Sequence, residues 1–334
     1  KLADHEFLHS HCIGYERFRD YLLGVNDGVA KTPDWASEIC SVAVSDIVSL
    51  AVKIAEKRTF LTAAWSLQRA DHGEQPYWMM IALACMAGHV GKPGGGFGFG
   101  YGAEGYIGSD WRRFNWANFP KSFNPTRFAI PVSRIADALL YPGKTIKYDG
   151  QEITYPDIDL VYWAGGNPFH HHQDLNRLVE AWRRPSTVIV NEPWWTPVAQ
   201  WADIVFPATT ALERDDFCMS SHDPYAHVME KALPVYEQSR SDHEIFAGLS
   251  RALGIEDKFT ENKSESEWME EMWVRSQKHA TDLGFEIPDY RIFLEKKWIR
   301  LPEDEEFPGW LHAFRKNAQQ SKLGTPSGKI ELFS

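Results

Sequence analysis

Cysteine is scarce in this chain. Only Cys12, Cys40, Cys85 and Cys218 occur, and no two form a C-x-x-C pair. That excludes a readable zinc knuckle or dithiol redox motif. Four scattered cysteines in 334 residues do not make a disulfide scaffold, so they are expected to be small buried hydrophobes. No apolar run reaches the roughly 18 residues of a transmembrane span. Positive charge is also short, with 35 Lys and Arg against 46 Asp and Glu and a net charge of −11. This disfavours a general nucleic-acid or membrane-surface role, while leaving room for a local basic pocket. Neither G-x-S-x-G nor H-E-x-x-H is present. The stretch "GKPGGGFG" lacks the phosphate-loop pattern and follows a predicted helix rather than a strand. No signal-peptide pattern opens the chain, which starts abruptly on "KLADHEFLHS", as an internal piece of a longer protein would.

What is present is an ordinary globular composition with many planar rings. Hydrophobic residues make up 43%, charged residues 24%, and there are 14 tryptophans, which suits deep apolar pockets. The length suggests about two domains. Residues 1–24 carry apolar positions at helical spacing up to Gly24. Thr32 and Pro33 read as the N-cap and first turn of a helix, and Ser45 as the cap of another running to Arg58. "TFLTAAW" reads as a buried strand, and "EQPYWMMIALACMAGHV" as a helix. Residues 91–124, rich in Gly and aromatics, form a long irregular segment, and a domain boundary is placed in it near residue 120. Beyond it, "DIDLVYWAGG", "HQDLNRLVEAWRR", "STVIVNEPWW", "ADIVFPATT" and "SDHEIFAGLSRALG" alternate strand and helix, which predicts βαβ units and a parallel sheet. The charged helix "SESEWMEEMWVRSQKHA" reads as a surface elaboration.

Chemistry concentrates at the predicted strand ends, where ligands of parallel α/β sheets bind. "AGGNPFHHH" places Gly165, Gly166 and Asn167 between a strand and a helix, and glycines there let backbone amides approach a phosphate. Three readings stay open for this stretch: a cofactor loop, a structural turn, or a metal site. The adjacent histidines lack the spacing of about three to five residues that zinc pairs favour. Asn191 and Glu192 end the next strand and can bind ribose hydroxyls or guanine hydrogens, or simply cap it. Arg214 can reach a phosphate or pair with Glu213, Asp215 or Asp216. Asp242 stands at a helix start, where capping is the ordinary role. In "WSLQR", Trp65 offers a flat wall and Arg69 a cation for an anionic ligand, against a packed tryptophan and a surface arginine.

Five stretches together resemble one family: "YLLGVNDGVAKTPDWA", "WSLQRADHGEQPYWMMIALACMAGHVGKPGGGFGFGY", "AGGNPFHHHQDLNRL", "ADIVFPATTALERDDF" and "TPSGKIELFS". They look like the molybdopterin oxidoreductases, in the branch of dimethyl sulfoxide, trimethylamine N-oxide and biotin sulfoxide reductases. The resemblance runs from about residue 5 to 334 and is weakest over about 255–310. It implies an α/β fold of two Rossmann-like three-layer domains with mainly parallel sheets, the first only partly present. Residues 1–120 would be the C-terminal half of the first, and 121–334 the second, with a downstream domain starting at about 325–334.

The resemblance further implies a bis(molybdopterin guanine dinucleotide) molybdenum cofactor and oxygen-atom transfer from an S-oxide or N-oxide. It places Trp65, Ser66 and Arg69 near that cofactor, with Arg69 also beside the oxide as the catalytic candidate. Asn167, His171, Asn191, Glu192, Arg214 and Asp242 would contact the dinucleotides, so the histidines would serve a guanine dinucleotide rather than a metal cage. No metal ligand is expected within the chain, because the branch's serine ligand belongs to an upstream segment. The isolated chain is therefore expected to be inactive and to hold no intact cofactor. The expected partners are an oxide substrate and an electron-donor protein, a cytochrome or reductase, with no nucleic acid and no membrane insertion. The expected compartment is the periplasm, or the cytoplasm as in the biotin sulfoxide reductases. Two alternatives remain: a molybdopterin enzyme for another substrate, and a non-catalytic nucleotide-binding or scaffold module.

Overall fold

The computed structural model describes residues 2–99, 114–121, 126, 128–148, 150–221, 223–303 and 309–333. Much of the glycine-rich segment at 91–124 therefore lies outside the described residues. The fold is mixed α/β with small, mainly parallel sheets. The chain divides into two compact units: Lys1–Arg113 with His222–Pro224 and Leu301–Ser334, and Phe114–Ser221 with Tyr225–Arg300.

In the first unit, strand Phe60–Ala63 pairs in parallel with Gly96–Phe99, and helix Gln75–Met86 connects them. The strand is half-buried rather than fully buried, because Gly96–Phe99 is its one partner among the described residues. Residues 1–24 form two helices, His5–His11 and Tyr15–Leu22, instead of one. Between them Cys12–Ile13 is extended and Gly14 takes φ +77°, a conformation that ends helical geometry. Thr32 caps helix Pro33–Cys40 as expected, its hydroxyl accepting from Trp35 N. The next helix spans Val44–Glu56 with Ala43 at its cap position, so Ser45 lies inside it.

Residues 301–303 and 309–333 group with this first unit, whereas the sequence reading assigns 121–334 to the second domain with a downstream domain starting at about 325–334. Three contacts bring them there. Ile330 pairs in parallel with Cys12. Arg315 Nη1 donates to the carbonyls of Gly88 and Val90 at 3.0 and 2.8 Å. Phe314, Ala318, Ile330 and Leu332 join Phe7, Leu8, Cys85 and Val90 in one core. Cys12 and Cys85 are buried as expected, but Cys40 and Cys218 are exposed, at a helix end and on a strand near solvent.

The second unit contains a three-stranded parallel sheet in the order Leu160–Ala164, Thr187–Glu192, Ile204–Pro207. Helix Leu175–Trp182 covers it, with Leu178, Ala181 and Trp182 one turn apart and buried against Val188, Val190 and Val198. Helix Glu265–Asp282 is not a surface elaboration. Trp268, Met269, Met272, Trp273, Ser276 and Ala280 form a buried stripe along it. Trp273 stacks on Phe293 at 3.8 Å between ring centroids. Its charged residues occupy the opposite face.

Asp137 is a buried carboxylate, 4% exposed, held by Arg134 and Arg177. Burial by itself raises its pKa, but the two guanidinium groups outweigh this and hold it below the usual carboxylate range. Such a group stabilises the fold above its unfolded pKa of about 3.9 and loses that contribution as pH falls through the folded value. Replacing Asp137 by Asn is expected to cost about 1–2 kcal/mol at pH 7, since both arginines remain partly solvated. The deficit should shrink below about pH 4. Urea titrations at both pH values measure it, and an equal deficit at the two would refute the ion-pair assignment.

Candidate functional site at the carboxyl edge of the parallel sheet

Strand register decides what can meet at this edge. Ala164 aligns with Asn191, Asn191 with Phe206, and Glu192 with Pro207. Three strand ends therefore stop side by side, and the loops after them share one edge. A cavity of about 440 Å³ opens there, lined by Gly165, Asn191, Trp194, Thr209, Arg214 and Asp242 among others.

The first loop turns on Gly165 and Gly166, at φ +80° and +76°. A Cβ added at Gly165 would meet nothing within 4 Å, so the backbone there borders open space. Trp163 Nε1 donates to Gly166 O at 3.1 Å and pins the loop. Asn167 caps helix Pro168–His171, its Oδ1 accepting from Phe169 N at 3.1 Å. The structural-turn reading therefore accounts for Oδ1. It does not account for Nδ2, which is buried without a partner. His171 is exposed on the last turn, its ring 5.8 Å from that of His172.

At the second strand end, Asn191 is 3% exposed and both ends of its amide are engaged. Tyr162 donates its hydroxyl proton to Asn191 Oδ1 at 2.8 Å, and Asn191 Nδ2 donates to Asp242 Oδ1 at 2.9 Å. Burial pushes the Tyr162 hydroxyl pKa up, and the Asp242 charge adds to the rise against the hydrogen bond to Asn191. Asp242 is not the cap of its helix. Ser241 fills that role, accepting from Glu244 N in a capping box. Asp242 is thus left on the first turn, favoured by the helix dipole and facing the cavity. Glu192 does not line the cavity. Its Oε1 accepts from Trp194 N at 3.4 Å.

The third loop is braced by Glu213, whose Oε2 accepts from Thr210 N and Oγ1 and whose Oε1 accepts from Tyr236 N, each at 2.8 Å. These hydrogen bonds, from Thr210 first and Tyr236 after it, hold the carboxyl below its ordinary range. Arg214 donates to Asp216 and to Thr209 O, both at 3.2 Å, and still lines the cavity, so the expected ion pair and the ligand-facing position coexist. Thr209 Oγ1 is buried without a partner. A larger cavity of about 820 Å³ also has Thr209 and Arg214 in its wall. Glu213, Glu244 and Glu265 in that wall already serve caps and Ser241, so it offers less unspent chemistry.

In the first unit, Trp65, Ser66 and Arg69 share one short 3₁₀ turn at the carboxyl end of strand Phe60–Ala63. Trp65 is 45% exposed. Tyr77 holds the preceding residue, its hydroxyl donating to Ala64 O at 2.7 Å. The turn is closed by Gly73, where any Cβ would lie 2.5 Å from Gln68 O.

A glycine loop, a carboxylate held by Asn191 and a cation thus meet at one parallel-sheet edge, the place where ligands of such sheets bind. The chain belongs to the molybdopterin oxidoreductase family, whose model matches residues 38–252. It is 43% identical to a trimethylamine-N-oxide reductase of Haemophilus influenzae over 99% of this chain and 42% of the relative. It is 42% identical to a biotin sulfoxide reductase of Cereibacter sphaeroides, over 99% of this chain and 44% of that protein. A dimethyl sulfoxide/trimethylamine N-oxide reductase of the same organism is 39% identical over 100% of the chain and 42% of the relative. Among solved structures, acetylene hydratase from Pelobacter acetylenicus superimposes with a TM-score of 0.57 at 16% identity. That match covers 100% of this chain and 45% of the other, and it bears on the fold alone. The chain spans less than half the length of these relatives.

The sequence reading did not single out Tyr162, Thr209 or Trp194. Thr209 and Trp194 sit within the quoted stretches and needed only the register to place them. Replacing Asn191 by Ala strands the Tyr162 hydroxyl and removes the donor to Asp242. The expected cost is about 1–3 kcal/mol, read as a lower urea midpoint with an unchanged slope. An unshifted midpoint would refute the buried network.

Proposed function

We propose that this chain supplies part of the cofactor site of an S-oxide or N-oxide reductase, and that the cavity at the parallel-sheet edge takes one guanine dinucleotide arm of a bis(molybdopterin guanine dinucleotide) cofactor. The observation carrying this is the placement of Gly165, Asn191, Arg214 and Asp242 around one cavity. The residues suit the group. Asn167 Nδ2 and Thr209 Oγ1 are buried polar atoms that lack partners, and Gly165 borders open space. Asp242 is acceptor-only when ionised and suits a base edge bearing N–H groups, while Arg214 and the glycine turn suit phosphate. Asn167 and His171 follow the first strand and Glu192 ends the second, and none of the three lines the cavity itself.

When bound, the cofactor supplies the oxygen-atom acceptance, with two electrons and two protons later releasing water. The chain's own residues bind, orient and select. Trp65 provides a flat apolar wall, Ser66 a hydroxyl, and Arg69 a guanidinium that can donate to the oxygen of an S-oxide or N-oxide. The two units are read as parts of two Rossmann-like domains, supported by a parallel strand pair with a connecting helix in each. The proposed electron donor is a cytochrome or reductase, and the proposed compartment is the periplasm. Among the described residues no helix is long and apolar enough to cross a membrane.

The test uses the full-length protein from a host that makes the cofactor, with molybdenum and acid-released GMP assayed on one sample. Twice as much GMP as molybdenum is expected. Neither, in a folded protein, would overturn the reading. In the same protein Arg69→Ala is expected to lower kcat/KM for trimethylamine N-oxide by about 100-fold with molybdenum content unchanged. An unchanged kcat/KM would remove Arg69 from the substrate site.

A further inference from the structure

Base recognition by an acid depends on which way the acid's neighbours point, and here that direction is set one residue further back. Asp242 touches the cavity, but nothing on its own helix fixes its carboxylate, since Ser241 and Glu244 close the capping box between themselves. What holds it is Asn191 Nδ2. A primary amide has two nearly isosteric orientations, one presenting NH₂ and the other C=O. With C=O toward Asp242, an acceptor would face an acceptor, and the carboxylate would be driven off. Backbone strand pairing leaves that choice open, because Asn191's main chain is satisfied by the sheet in either case.

We infer that Tyr162 is the positioning residue for base recognition: its hydroxyl, donating to Asn191 Oδ1, satisfies the buried carbonyl end of the amide, so that Nδ2 stays on Asp242 and holds its carboxylate at the cavity. The inference rests on the nucleotide reading given above. Three observations carry it. Tyr162 lies on the first strand of the sheet and Asn191 on the neighbouring strand, so register brings the two side chains together. The Tyr162 ring packs against Phe246 at 5.3 Å between centroids, on the same helix that carries Asp242, which aims the hydroxyl. Asn191 is 3% exposed, so water is poorly placed to substitute for the lost donor. A phenol hydroxyl can donate or accept, and with Nδ2 given to the Asp242 carboxylate it meets Oδ1 as the donor.

The consequence is selectivity as well as affinity. A held carboxylate accepts from the N1–H and 2-amino group of guanine, whereas adenine turns its N1 lone pair toward it. If the amide is free to flip, Asp242 loses its fixed direction, and the guanine preference falls while contacts to phosphate stay. Tyr162→Phe keeps the ring on Phe246 and removes only the hydroxyl. Asn191→Asp sets a second carboxylate against Asp242 and disturbs the same link from the other side.

The experiment takes full-length protein produced without the pterin and measures GDP and ADP binding by equilibrium dialysis. Wild type is expected to favour GDP. Tyr162→Phe is expected to reduce the GDP-to-ADP affinity ratio by about five- to tenfold, with ADP binding little changed. Asn191→Asp should move the ratio in the same direction. A purely structural role for Tyr162 would weaken both nucleotides alike and leave the ratio intact, which would overturn the inference while the nucleotide site stands. Wild-type protein that binds neither nucleotide, or binds both equally, would overturn the nucleotide reading and this inference with it.

Discussion

A buried amide has two ends, and each must find a partner of the right kind. Asn191 meets that requirement with a phenol on one side and a carboxylate on the other. Much of the second unit's geometry is what makes this possible. Parallel pairing sets Tyr162 and Asn191 on neighbouring strands, while helix Asp242–Ala252 brings both Asp242 and Phe246 to the same place. Covering helices exclude water from the underside of the sheet through Leu178, Ala181 and Trp182. Slipping strand Thr187–Glu192 by one residue would turn Asn191 to the opposite face. The site is thus a by-product of register, and register is held by the apolar core beneath it.

Around that fixed centre the edge divides its labour. The acidic side, with Asp242, suits groups that donate hydrogen. The other side, with Gly165, Gly166 and Arg214, suits groups that carry negative charge. Arg214 is restrained by Asp216 and Thr209 O, so its charge is directed rather than free to sweep solvent. Glu213 spends itself mainly on Thr210 and Tyr236 and holds the third loop in shape. A chain with a strongly negative total charge can therefore still present a locally mixed pocket.

Local rules were readable where one residue decides local geometry. Thr32 and Pro33 start a helix because a hydroxyl cap and a fixed φ act within one turn. The strands around Val161 and Val188 and the glycine turn at 165–166 were legible for the same reason. Capping was harder when two candidates stood together. Ser241, not Asp242, takes the cap, and Ala43 rather than Ser45 precedes its helix, since the choice depends on backbone direction upstream. The stripe from Trp268 to Ala280 had the right period, but the density of charge on the other face drew attention outward. Tyr162 was hidden for a different reason. In the sequence it is one aromatic in an apolar strand, and its partner is 29 positions away. Nothing local distinguishes a phenol that fills space from one that orients an amide. Trp65 and Arg69 were readable as a flat wall and a cation, but the place of Ser66 and of the whole short, exposed turn beside a molybdenum cofactor rested on the resemblance.

The return of residues 310–333 to the first unit has a bearing on how the chain is made. Cys12 waits for Ile330, His11 for the carbonyl of Arg315, and the carbonyls of Gly88 and Val90 for its guanidinium. A ribosome delivers residues in order, at roughly 5–20 per second. The early core would then stay incomplete on the order of tens of seconds after its first helices emerge. During that interval Phe7, Leu8 and Val90 lack part of their cover, while the second unit has nearly all of its own residues in hand. Vectorial synthesis therefore favours the later-encoded unit closing first, and the core around Phe7 and Leu8 closes only when the segment carrying Phe314 and Ile330 arrives.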